Sequence, residues 1–213
     1  MRKLTYCQAL NEALHQIMEN DESVILIGQG VWSPWYVGST CKGLLDRFGK
    51  DRIIDTPVSE NGVTGMAVGM AISGMRPILV FPRMDFLMYA MDPIVNQASK
   101  WQFMSGGRSK VPIVFWSIIN RGNGQAAQHS QDLRWMFRGI PGLKCYEAFA
   151  HQDVGACLRA AVYDDSPCMF FDNRERYNGV KETNMFITHI PIGVPTPASQ
   201  ALEKKWFERY GYE

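Results

Sequence analysis

A chain of 213 residues, 46% of them hydrophobic, is long enough for one sizeable core and a tail. Its 22 Lys and Arg nearly cancel its 21 Asp and Glu, so the strong basic field that nucleic acid or an acidic membrane surface demands is missing. No stretch reaches the roughly 20 apolar residues that cross a bilayer, the polar N-terminus lacks a secretory apolar core, and five scattered cysteines (Cys7, Cys41, Cys145, Cys157, Cys168) show no CxxC or metal-ligand spacing; the expectation is a soluble, cytoplasmic protein with reduced thiols.

Leu4, Cys7, Leu10, Leu14, Ile17 and Met18 recur at helical spacing and predict an amphipathic helix over residues 4–19. It stops at Asn20-Asp21, and the continuous apolar run over 23–27, closed by glycine, predicts a strand buried on both faces. The unit recurs: strand over 51–55, Gly- and Ala-rich helix over 59–73, strand over 76–81, long helix over 85–103, strand over 111–116. A helix over 131–137, a strand over 143–147, a helix over 152–163 and a strand over 167–171 complete the series. Strands alternating with helices between short Gly and Pro breaks predict a doubly wound α/β domain with a mainly parallel sheet, spanning residues 1–175. In such sheets ligands collect outside the carboxyl ends of the strands, which directs attention to the loops after Ile27, Ile54, Phe81 and Trp116.

From 176 to 213 the character changes to an arm: a Pro-spaced segment, IPIGVPTP, then a predicted short helix over 199–212. Trp206, Phe207 and Tyr210 lie on or near one face of that helix, placed either to pack on their own subunit or to clasp a partner. Six Trp and a 12% aromatic content also leave more large apolar surface than a lone small domain hides, so burial against another subunit is expected.

The segment Asp55-Thr56-Pro57-Val58-Ser59-Glu60-Asn61-Gly62 carries the most chemical information. Pro57 restricts the chain after a strand, Ser59 is placed to cap a helix, and Glu60 then falls in the first turn, where the helix dipole favours a carboxylate. Spacing alone does not separate a catalytic glutamate from an ordinary first-turn one. His129, in Ala127-Gln128-His129-Ser130-Gln131, sits in a loop ahead of a helix; a lone histidine is usually structural, and His15, His151 and His189 have no context that says otherwise.

The ordered series ALNEAL, ILIGQGV, GLLDRFGKDRIIDTPVSENG, AVGMAISGMRPI, DFLMYAMDPIVNQASK, MSGG, VPIVF, AQHSQ and IPGLK resembles the beta subunit of the decarboxylating first component of 2-oxo acid dehydrogenase complexes. That subunit belongs to the transketolase-like family of thiamine-diphosphate enzymes, and the resemblance covers about residues 5–175. It implies a pyrimidine-binding fold in which Glu60 contacts a ring nitrogen of the cofactor's aminopyrimidine, promoting the imino tautomer that removes the thiazolium proton. It further implies that Phe86 stacks on that ring, with Val58 and Tyr89 beside it, and that His129 serves the reacting oxygens or carboxylate of the substrate. Arg83, Arg121 and Gln29 are candidate substrate contacts in the flanking loops.

Thiamine-diphosphate sites of this class have two halves, and the half that binds Mg²⁺ and the diphosphate carries a GDG followed by an Asn. This chain has no GDG, GxGxxG or Walker loop, so the resemblance implies an alpha subunit supplying that half, in an alpha2-beta2 assembly. Two departures fall in cleft loops: Gln29-Gly30 replaces the family's usual acidic pair, and residues 115–121 replace a glycine-rich run. Family members usually continue into a second α/β domain, and its absence from this sequence points to a free-standing enzyme or a separately encoded third piece. The implied reaction is cleavage of a 2-oxo acid or ketol and transfer of the acyl or ketol unit. The rival readings are a catalytically silent interaction subunit and a flavodoxin-like nucleotide-binding module.

Overall fold

A computed structural model of the chain describes residues 4–148, 151–178 and 186–189. Helix α1 (Tyr6–Asn20) opens with a capping box: Thr5 Oγ1 accepts the Gln8 N–H at 3.2 Å and Gln8 Oε1 accepts the Thr5 N–H at 2.9 Å. Its buried stripe is Tyr6, Leu10, Ala13, Leu14, Ile17 and Met18; Leu10, Leu14, Ile17 and Met18 are those expected from the spacing, whereas Leu4 and Cys7 are only half-buried and Tyr6 and Ala13 are covered instead. Next come β1 (Val24–Gly28), α2 (Leu44–Phe48), β2 (Ile53–Asp55), α3 (Glu60–Ile72), β3 (Arg76–Phe81), α4 (Ser99–Met104) and β4 (Val114–Ile119). The chain continues through α5 (Trp135–Arg138), β5 (Lys144–Glu147), α6 (His151–Val162), β6 (Cys168–Asn173) and β7 (Phe186–His189).

The strands form one sheet in the order β2-β1-β3-β4-β6-β5-β7, with six parallel strands and β7 antiparallel to β5 at the edge. One core lies under α1, α2 and α6, where Leu10, Leu14, Leu44, Val154 and Leu158 meet Leu26, Ile78, Trp116 and Phe170. The other lies under α3, the 84–104 stretch and α5, where Ala67, Leu87, Ile94 and Phe137 meet Ile27, Leu79, Phe115 and Phe171. Both faces of the sheet are covered, which is why β1, β3, β4 and β6 are largely apolar along their length. This is the doubly wound, mainly parallel α/β fold expected from the alternating pattern.

Three expectations about elements are corrected. The single helix expected over 85–103 is a 3₁₀ segment (Met84–Ala90), a π segment (Pro93–Ala98) and then α4. Pro93 is the cause: it has no N–H for the carbonyl of Tyr89 four residues back, and its ring crowds that carbonyl. The Tyr89 carbonyl instead accepts the Asn61 side-chain amide of α3 at 3.4 Å. The strand expected over 111–116 starts later and runs to Ile119, because its ladder with β6 continues to Ile119 opposite Asn173, so the loop lies after Ile119 rather than Trp116. Only Trp135–Arg138 of the helix expected over 131–137 is α-helical. The region set apart as an arm supplies strand β7, while the helix expected over 199–212, with Trp206, Phe207 and Tyr210, lies outside the described residues.

At the ends of β4 and β6 the core holds a carboxylate. Asp172 is fully buried, and its Oδ2 accepts Trp116 Nε1–H at 2.9 Å and the Tyr177 hydroxyl at 2.6 Å. The Tyr177 ring stacks on Tyr6 of α1 with centroids 6.0 Å apart. Gly38, at φ +67°, lies so close to Tyr177 that a Cβ there would come within 2.4 Å of the ring. A side chain at position 38 is excluded on both steric and backbone grounds.

Candidate functional site

β1 lies between β2 and β3, so connections leave the carboxyl ends of these strands in opposite directions and open a crevice between them. Gly28 ends β1 where a Cβ would fall 3.0 Å from the Val80 carbonyl oxygen, so only glycine lets the chain pass β3 and turn. Asp55, ending β2, knits the two loops: its Oδ1 accepts the Gly30 N–H at 2.5 Å and the Thr56 N–H at 3.0 Å.

Glu60 is the first residue of α3 and lines this crevice with Gly28, Gln29, Thr56 and Phe81. Ser59 occupies the N-cap position, but its side chain makes no capping bond, which corrects the capping role expected of it. The half-buried Glu60 carboxylate stands at the positive end of a 13-residue helix. One oxygen accepts Gln29 Nε2 at 3.2 Å, and the other meets no donor among the described residues. Val58, 79% exposed, projects from the same loop.

Phe86 and His129 come from the loops after β3 and β4. The two rings meet edge to face, centroids 5.1 Å apart and planes at 79°. His129 closes a 3₁₀ turn (Ala127–His129) entered through Ala126 at φ 63° and ψ 176°, a region otherwise used by glycine, so strain is stored three residues before the histidine. Asn120, buried at the end of β4, donates Nδ2–H to the Pro82 carbonyl at 2.8 Å and accepts Arg174 Nη1–H at 3.0 Å. Asp85 Oδ1 accepts the Gln131 main-chain and side-chain N–H groups at 3.2 and 2.8 Å.

The structure thus pairs Gln29 with Glu60 and Phe86 with His129, and it links Tyr89, 68% exposed, to α3 through Asn61. Arg83, half-buried, donates to the Pro82 carbonyl at 2.7 Å. Arg121 is exposed and makes no hydrogen bond or ion pair with the other candidates; its charge acts on Asp132, which Arg134 chiefly, with Arg121 contributing, holds below the usual carboxylate range. Asp85, Asn120 and Gln131 were not singled out from the sequence. Asp85 and Gln131 both stood inside motifs already quoted, but nothing in a linear pattern says that residues 46 apart share a hydrogen bond.

A doubly wound sheet with a first-turn carboxylate at its switch point, and an aromatic and an imidazole in mutual contact on the next two loops, defines a ligand-binding α/β domain whose site lies at the strand ends. Residues 2–180 match the family described as transketolase, pyrimidine binding domain, and the chain belongs to that family. It is 40% identical over 176 residues to the mitochondrial pyruvate dehydrogenase E1 component subunit beta of Saccharomyces cerevisiae, covering 83% of this chain and 48% of that protein. It is 38% identical over 191 residues to the corresponding subunit of Rickettsia conorii, covering 90% of this chain and 59% of that protein. The chain therefore spans about half the length of the curated relatives it matches. Among solved structures, a split gene transketolase described as an inactive beta4 tetramer aligns with TM-score 0.67 at 15% identity, covering 85% of this chain and 54% of that one, a likeness of fold. No helix among the described residues is long and apolar enough to cross a membrane.

Proposed function

We propose that the chain is the pyrimidine-binding (beta) subunit of a heteromeric thiamine-diphosphate-dependent enzyme that cleaves a 2-oxo acid or ketol and passes on the acyl or ketol unit. The observation that carries this reading is the Glu60 carboxylate, set at the N-terminus of α3 with one oxygen oriented by Gln29 and the other left for a ligand. That arrangement fits an aminopyrimidine, whose ring nitrogen and a carboxylate share a proton in a short, charge-assisted bond. When bound, the cofactor supplies a carbon nucleophile for the substrate carbonyl. Glu60 holds the proton at the pyrimidine nitrogen. Phe86, with Val58 and Tyr89 at the rim, offers apolar surface to the ring, and His129 hands protons to or from the substrate oxygens. Arg83, Arg121 and Gln29 are assigned to the substrate side, Arg121 resting on charge and loop position alone.

We place the pyrimidine-binding domain in residues 1–175, with 176–213 as an appended arm that reaches the sheet edge through β7. With no GDG in the sequence, Mg²⁺ and the diphosphate are assigned to an alpha subunit in an alpha2-beta2 assembly. The surface supports a partner there: Val58, Tyr89 and Met66 are exposed beside Gly62, Gly65 and Gly69 of α3. The five cysteines are unpaired, in keeping with action in the cytoplasm.

Calorimetry tests the reading. Thiamine diphosphate with Mg²⁺ is expected to give no binding heat with this chain alone and saturable binding once the GDG-bearing partner is added. Tight binding of an unrelated nucleotide by the isolated chain contradicts it. A second measurement concerns Gln29. Its amide bonds a half-exposed carboxylate, worth about 1 kcal/mol after solvent screening, so Gln29→Ala is expected to cut turnover of the assembled enzyme roughly fivefold while lowering the melting temperature by at most about 4 °C. Unchanged turnover removes Gln29 from the site.

A further inference from the structure

The loop that carries His129 has few ties to the rest of the fold. Among the described residues its hydrogen bonds between Arg121 and Ser130 are local: the Asn123 N–H and Nδ2 to the Asn120 carbonyl, Asn123 Nδ2 to the Arg121 carbonyl, the His129 N–H to the Ala126 carbonyl, and the Ser130 N–H to the Ala127 carbonyl. The first hydrogen bond from the His129 side of the loop to another element comes at Gln131, and its acceptor is Asp85. Asp85 is 7% exposed and immediately precedes Phe86. Its Oδ1 takes both Gln131 donors, while its Oδ2 is buried without a donor among the described residues. Burying a carboxylate oxygen without a donor is costly, and a residue chosen only for packing would not be charged here. The seam continues with the Leu133 N–H on Met84 Sδ at 3.2 Å, and the Phe86–His129 ring contact closes it on the crevice side.

We propose that Asp85 is a positioning residue that locks the His129 loop onto the Phe86 turn and so fixes the histidine ring against the phenyl edge. The proposal rests on the functional reading above for what His129 does, but not for where Asp85 holds it. Both Gln131 donors converge on one oxygen, so the lock needs an oxygen acceptor at that point and does not need the negative charge. Misplacing a reacting group by about 1 Å costs up to roughly a hundredfold in rate.

The test uses the full chain with ¹³C-labelled histidine, the His129 ring signal being identified by its loss in His129→Gln. The phenyl ring current displaces that signal from its free-histidine position. Asp85→Ala is expected to return it most of the way, and Asp85→Asn, which keeps the oxygen, to leave it near the wild-type position. Gln131→Ala removes one of the two donors from an exposed residue at little risk to folding, and it should shift the signal part of the way. His15, whose Nε2 lies 3.1 Å from the Lys42 carbonyl oxygen, serves as a control that does not move. In the assembled enzyme Asp85→Ala should lower kcat ten- to a hundredfold with KM changed less than twofold. A His129 signal unmoved by both Asp85→Ala and Gln131→Ala overturns the lock, whatever happens to turnover. A signal that moves while kcat stays at the wild-type level upholds the lock and overturns the role given to His129.

Discussion

Glu60→Gln is expected to leave a folded subunit that assembles with its partner and binds thiamine diphosphate, yet turns over at least a hundredfold more slowly than the wild type. The fold survives because Glu60 is half-buried and its carboxylate has one partner, Gln29 Nε2, which an amide oxygen at position 60 also satisfies. The loss of a favourable charge at the start of α3 costs about 0.3–1 kcal/mol, a few degrees of melting temperature at most. What the amide cannot do is take and return a proton at the pyrimidine nitrogen. The decisive comparison is cofactor affinity against turnover in the same assembled preparation: affinity within about fivefold of wild type, with turnover collapsed, marks a group that acts in the chemistry rather than in binding. Near-normal turnover would sink the assignment of Glu60. Equal loss of affinity and rate would instead make it a binding residue.

What could be read from the linear chain followed the physics of each signal. β1 and β3 were legible because strands buried on both faces are largely apolar, and α1 because its apolar residues recur at helical spacing. Residues 85–103 misled because helical periodicity survives in 3₁₀ and π segments, and Pro93 was given too little weight against it. Glu60 was correctly placed in the first turn of α3, but from spacing alone it was indistinguishable from any first-turn glutamate; the long ordered motif series singled it out. The Ser59 cap failed because position does not guarantee that a hydroxyl turns toward the helix. The Asp85–Gln131 lock and the buried Asp172 depend on contacts across 46 and 56 residues, which periodicity and motif spacing do not encode. The crevice was thus legible at its strand ends, while the contacts that hold its loops were not.

The second large effect concerns Asp172, whose environment makes stability depend on pH in an unusual direction. Burial pushes its carboxyl up to about 6, against the opposing pull of the Tyr177 and Trp116 donors, Tyr6 and the Arg176 charge. An acid whose pKa is higher in the folded than in the unfolded chain holds its proton more tightly when folded. Its contribution is therefore fully present below about pH 4 and is lost as pH rises through about 6. For a fully buried group this amounts to about 2–3 kcal/mol between pH 4 and 7. Asp132, Asp164 and Asp165 act oppositely. Arg134 holds Asp132 down, Lys144 and the Ser166 N–H outweigh the burial of Asp164, and Lys110 and Arg76 lower Asp165. Their contributions are lost only as pH falls below the ordinary carboxylate range. The melting temperature should accordingly rise as pH is lowered from 7 to 5 and fall again below about 4. Asp172→Asn is neutral at every pH and can offer its amide oxygen to both Trp116 and Tyr177, so it should melt above the wild type at pH 7, near it at pH 5, and lose the rise between 7 and 5. Asp172→Leu strands the indole N–H and the phenol O–H in the core and should cost about 2–4 kcal/mol at pH 7. A rise between pH 7 and 5 that persists undiminished in Asp172→Asn would assign the dependence to other groups. The buried carboxylate would then be reduced to an acceptor that ties β4 and β6 to Tyr177 through the Trp116 and Tyr177 donors.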